Sequence, residues 1–128
     1  MILTGQPVLF IATARPAESR HFYETVLKLS CLSDTSFAMV FDLGTTTLRI
    51  QKVESVPEVP YTVLGWEITD IRNCVDELTD QGVQFESYAG LPQDDSGIWM
   101  SPAGASVAWF KDPDGNTLSL TEPTIVDP

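Results

Sequence analysis

A chain of 128 residues, 43% apolar and 20% charged, has the length and composition of a globular domain with a real core, and it is neither a disordered tract nor a membrane span. Its 18 acidic against 7 basic side chains leave a formal net charge of −11, which repels phosphate backbones and anionic lipid and argues against nucleic-acid and membrane partners. Cys31 and Cys74 make no disulfide framework and no cationic segment precedes an apolar run at the N-terminus, so the expected compartment is the cytoplasm.

In chain order, Val8 to Ala12 is a short apolar run of the kind that forms a buried strand. Pro16 suits the first turn of a helix, and Phe22, Tyr23, Val26 and Leu27 give that helix one apolar stripe. Phe37, Met39, Val40 and Phe41 form a strand that breaks at Gly44, and Thr46 to Val53 forms another. Glu54 to Pro60, with its prolines and glutamates, reads as a linker. The order then repeats. Thr62 to Ile68 is a strand, and Thr69 or Asp70 caps a helix. In that helix Ile71, Cys74, Val75 and Leu78 occupy an i, i+3, i+4, i+7 stripe that makes Cys74 a small core residue, and Gly82 stops it. Val83 to Phe85 is expected to be a strand, and Gly90 to Gly97 a polar loop. Ala105 to Glu122 closes the chain as a hairpin around the turn Asp112-Pro113-Asp114-Gly115-Asn116. That turn lacks the glycine and glutamate spacing of a helix-loop-helix calcium site. A β-α-β-β-β plan used twice accounts for the series, with a helix on one face of each sheet and the other face free.

Three segments carry a family resemblance: Ser19 to Leu27 (SRHFYETVL), Trp66 to Ile71 (WEITDI) and Phe110 to Asn116 (FKDPDGN). With them the chain resembles the vicinal oxygen chelate superfamily, which includes glyoxalase I, extradiol dioxygenases and the fosfomycin- and bleomycin-resistance proteins. The resemblance runs from about Pro7 to Glu122. It implies an α+β fold in which two β-α-β-β-β modules form a curved mixed sheet around a cleft. The whole chain, 1–128, would be one such domain, with module 1 over about 7–53, the linker over about 54–60 and module 2 over about 61–122.

The family's metal-ligand positions fall on Val8, Arg49, Val63 and Ser119, two aliphatic groups, a guanidinium and a hydroxyl. A slip of two residues, the step that keeps an inward residue inward, would bring in Gln51 or Glu67. The chain has a single histidine, His21, on the first helix, so one protomer cannot supply a two-histidine, one-carboxylate site. The resemblance therefore points to a metal-free branch with no cofactor.

Strand alternation then gives the lining of the cleft: Phe10, Val63, Val107 and Trp109 beside Arg49, Gln51, Glu67 and Ser119, with Trp66 turned the other way toward the helices. Trp109 is placed to stack a planar ligand and Arg49 to clamp an anionic group, unless Arg49 and Glu67 pair with each other. Gln93 to Gly97 is expected to be a mobile lid over the cleft mouth. The preferred reading is a binding protein similar to the bleomycin-resistance branch, sequestering a small-molecule ligand in a homodimeric cleft. The alternatives are a lyase or isomerase like glyoxalase I, and a metal-free enzyme with Glu67 as general base in an apolar setting that raises its pKa.

Overall fold

The sequence Thr47-Leu48-Arg49-Ile50-Gln51-Lys52 alternates polar and apolar, and in the computed structural model, which describes residues 1–124, Leu48 and Ile50 are fully buried while Arg49 and Gln51 are exposed. That strand belongs to one of two four-stranded mixed sheets, each served by its own helix. The chain divides into two compact units, Met1–Pro57 and the part from Glu58 onward, and each carries one sheet.

In the first unit β1 (Val8–Thr13), β2 (Ser30–Asp34), β3 (Ala38–Asp42) and β4 (Thr47–Lys52) stand in the order β1-β4-β3-β2. The opening strand pairs in parallel with the closing one, and the remaining pairs are antiparallel. Helix α1 (Pro16–His21) passes into a π-helical turn over Phe22–Val26, closed by the bond from Leu27 N–H to Phe22 C=O at 2.9 Å. Tyr23, on that turn, is fully buried, with its ring 5.8 Å from that of Phe41. Lys28 ends the helix at φ 60°, a conformation that glycine adopts more readily, and the bond from Leu29 N–H to Tyr23 C=O at 3.0 Å holds it there.

The second unit repeats the plan. Strands β5 (Thr62–Glu67), β6 (Trp99–Met100), β7 (Ser106–Lys111) and β8 (Thr117–Glu122) stand in the order β5-β8-β7-β6, again with the opening strand parallel to the closing one. Helix α2 (Ile71–Asp80) is started by Asp70, whose carboxylate accepts from Asn73 N–H at 3.1 Å. The carboxylate of Glu122, at the end of β8, accepts a second early N–H, that of Ile71, at 2.9 Å. Ile71, Val75 and Leu78 are buried, as are Leu64, Ala108, Phe110, Leu118 and Leu120 of the sheet. Cys74 is only half-buried, at the flank of this stripe, and that burial raises its thiol pKa.

Three elements differ from the sequence expectations. Ser30–Asp34 is a strand although it shows no alternation, because it is an edge strand whose register shifts at Leu32. Val83 to Phe85 is not a strand: Val83 N–H bonds back to Leu78 C=O at 3.0 Å at the end of the helix, and the sheet is met only through the bridge of Phe85 to Phe110 and the following bond from Glu86 N–H to Trp109 C=O at 2.8 Å. Trp99–Met100 pairs as the short strand β6 where a loop would run into the hairpin.

The hairpin turn forms as expected and is held by a buried carboxylate. Asp112 Oδ1 accepts from Asp114 N–H at 2.9 Å and Asn116 N–H at 3.0 Å, and Oδ2 accepts from Asn116 Nδ2 at 2.9 Å. Gly115 supplies the positive φ, 85°, that the turn requires. Removing the carboxylate strands these donors, so Asp112→Ala is expected to cost about 2 kcal/mol in urea unfolding, with Asp112→Asn intermediate.

Candidate functional site

In each unit one sheet face is turned away from the helix; on the first unit's sheet it is exposed, while on the second unit's sheet Thr117 and Ser119 of the inner strand β8 are buried on it. On the first unit's sheet Phe10 stands opposite Arg49, Ala12 opposite Gln51 and Val40 opposite Arg49. Phe10 is 57% exposed, and Val8, Arg49 and Gln51 are exposed with it. On the second unit's sheet Ser119 lies between Gly65 and Trp109, and Thr121 lies between Glu67 and Val107. Alternation thus brings Phe10, Arg49 and Gln51 to one face and Glu67, Val107, Trp109 and Ser119 to the face of the other sheet turned away from its helix, where Ser119 is buried, Val107 and Trp109 are half-buried and Glu67 is exposed. Trp66 falls opposite Leu120, on the helix side, as expected.

Val63 departs from the pattern. Strand β5 shifts register between Thr62, level with Thr117, and Leu64, level with Leu118, so Val63 is the extra residue of a β-bulge. A bulge breaks the rule that facing changes only in steps of two, and Thr62 takes the place on the helix-free face beside Thr117. Glu67 also differs from expectation: it is exposed in the chain, not set among apolar groups.

The second unit holds a pocket of about 620 Å³, a size typical of small-molecule sites. Trp109, Tyr88 and Tyr61 supply its aromatic walls, Thr62 and Thr117 a polar floor, and Lys111 a charge. Trp109 organises the aromatic side. The Tyr88 ring meets it edge-on at 5.4 Å and the Trp99 ring lies 5.9 Å away, tilted by 31°. Burial, and then the charge of Glu86, raise the Tyr88 phenol pKa, so Tyr88 is a neutral donor at physiological pH. Of the residues expected to line a cleft, Trp109 alone is among those lining this pocket. Tyr61, Tyr88 and Lys111 were missed. Tyr61 and Tyr88 lie in segments with no alternation to read; Lys111 was legible as the residue two beyond Trp109 on one strand.

The loop expected to be a lid is tied down. The Gln93 side chain accepts from Tyr88 N–H at 2.7 Å and donates to Glu86 C=O at 2.8 Å and Gly97 C=O at 2.9 Å. Asp94 accepts from Ser96 N–H and Ile98 N–H, each at 2.9 Å, and pairs with Arg72 at 2.6 Å. These bonds make the loop a brace that positions Tyr88.

The residues at the expected metal positions do not fit a metal. Val8 and Val63 have no donor atoms, Arg49 is a cation and Ser119 offers a single hydroxyl. Among the described residues no three His, Cys, Asp or Glu side chains come together in a group that could hold an ion. His21 is exposed on α1.

Gly65 matters to the helix-free face of the second unit's sheet, because a Cβ there would lie 2.5 Å from Ser119 Oγ. Gly65→Ala is expected to destabilise the chain by about 1–3 kcal/mol in urea unfolding, and adding Ser119→Ala, which removes the clashing atom, should recover most of the loss.

Comparison with known proteins bears on this geometry. The sequence model of the family described as Glyoxalase/Bleomycin resistance protein/Dioxygenase superfamily matches residues 5–120. No curated protein matches the chain. Among solved structures, the lactoylglutathione lyase of Agrobacterium tumefaciens is similar with a TM-score of 0.72 at 13% identity, covering 93% of this chain and 93% of that one. A superfamily member from Sphaerobacter thermophilus gives 0.72 at 19% identity over 96% and 100% of the two chains. A glyoxalase family protein from Enterococcus faecalis gives 0.68 at 21% identity over 95% and 100%. At these identities the likeness is one of fold.

Proposed function

The chain belongs to the glyoxalase/bleomycin resistance protein/dioxygenase superfamily, and from that premise we propose that it is a metal-independent small-molecule-binding protein. It sequesters a ligand without chemistry, in the manner of the bleomycin-resistance branch, and a protective role of the antibiotic-resistance kind follows from that. The observation that carries this reading is the pocket at Trp109, which sets aromatic walls beside the Thr62 and Thr117 hydroxyls and the Glu58–Lys111 ion pair, in a chain whose metal positions hold no fitting donor set.

Two units of this plan leave two helix-free sheet faces per chain. We infer a homodimer whose ligand cleft is lined by Phe10, Arg49, Gln51, Glu67, Val107, Trp109 and Ser119, with Thr62 in the place expected of Val63. Burying a side chain as exposed as Phe10 would favour such an assembly. No cofactor enters this reading, and we take the cytoplasm as its compartment. The exposure of Glu67 in the chain argues against the alternative of a general base in an apolar setting, and the aliphatic groups at two metal positions argue against a glyoxalase-type lyase.

Titration with cationic drugs that carry planar aromatic rings, bleomycin among them, is expected to quench tryptophan fluorescence, and Trp109→Ala should weaken binding about tenfold. Light scattering should give the mass of a dimer. Elemental analysis of protein purified without chelator should find nickel, zinc and iron well below one atom per chain. Stoichiometric metal, or formation of lactoylglutathione after nickel or zinc is added, would overturn the proposal.

A further inference from the structure

The pocket at Trp109 contains a positive charge that is already engaged. Lys111 lies two residues beyond Trp109 on β7 and so points to the same face. Its Nζ donates to Glu58 Oε1 at 3.1 Å and stands 3.8 Å from Glu86 Oε1. The hydrogen bond to Glu58 holds the lysine pKa above its ordinary range, against a smaller opposing effect of burial. One ammonium therefore faces two carboxylates, in a chain whose net charge is already −11.

The two carboxylates are held differently. Glu86 is two-thirds covered and belongs to the segment braced by Gln93. Glu58 is 78% exposed and comes from the stretch before β5, where Val59, Pro60 and Tyr61 continue as a wall of the same pocket. Its carboxylate thus takes up one of the three donors of the Lys111 ammonium. An entering carboxylate or sulfonate must compete with Glu58 for that ammonium and lie near both Glu58 and Glu86. An uncharged aromatic can stack on Trp109 and leave the ion pair intact. Repelling the wrong charge in this way selects ligands without adding any contact to the right one.

We propose that Glu58 is a specificity-determining residue of this pocket, occupying Lys111 so that planar aromatic molecules without negative charge are admitted and aromatic anions are turned away. The proposal rests on the reading of the pocket as a ligand site and names the charge class of what enters it.

The test uses two probes that share a ring system and differ by one sulfonate, uncharged phenylnaphthylamine and anilinonaphthalene sulfonate, titrated into the whole chain. The wild type should prefer the uncharged probe. Glu58→Gln should raise affinity for the sulfonate about two- to fivefold, the range open to an exposed ion pair, and leave the uncharged probe unchanged. Adding Lys111→Met to that variant should abolish the gain. Thermal melts of the variants establish that each is folded, and Glu58 is exposed enough for its replacement to be tolerated. If Glu58→Gln leaves the ratio of the two affinities unchanged while Trp109→Ala weakens both, the pocket binds aromatics and the role of Glu58 is overturned. If Trp109→Ala changes neither, the probes do not use this pocket and the ligand-site reading falls together with the inference.

Discussion

The parallel pairing of the first strand of each unit with its last is the constraint from which the rest follows. A parallel partner cannot be reached by a tight turn, so the chain must cross over, and it does so through a helix packed on one face. That crossover gives each sheet a side packed on the helix and a side turned away from it. In the first unit it buries Met39, Phe41, Leu48 and Ile50 and leaves Phe10, Arg49 and Gln51 outside. In the second it buries Leu64, Leu118 and Leu120 and turns Trp109 and Ser119 the other way. The candidate site is thus the residue of a packing solution: the face the helix does not cover.

Much of this was legible because the signals were strong and periodic. The α2 stripe, the Asp70 cap, the Gly82 stop and the DPDGN turn each state their structure within a few residues. Along the regular strands the ladder sets Trp66 level with Leu120 and Trp109 level with Ser119, the relative facing that alternation gives them. The failures share a cause: geometry set by partners distant in sequence. Edge strand Ser30–Asp34 owes its conformation to pairing with β3, and Val83 to Phe85 contacts β7 at one bridge, too little for a ladder. No local pattern announces either. The pocket walls at Tyr61 and Tyr88 come from irregular segments, and the brace at Gln93 depends on one amide reaching three backbone groups.

The site combines rigidity with a displaceable charge. Trp109 sits in a strand, and Tyr88 is fixed against it by the hydrogen bonds of Gln93. The aromatic walls are therefore preformed, and little conformational freedom is lost when a flat molecule enters. The charged corner is looser: Glu58 is mostly in solvent, where an ion pair is screened and weakly held. Shape is set by the fixed groups, and polarity by the loose one.

The extra residue at Val63 has a consequence for anyone transplanting chemistry onto this scaffold. Side chains C-terminal to it obey one parity and those N-terminal to it the other, so a donor placed by counting straight along β5 would emerge on the wrong surface. Grafted ligands must be indexed against the neighbouring strand, Thr62 by Thr117 and Gly65 by Ser119, because the cross-strand ladder keeps its bearings where the linear count loses them.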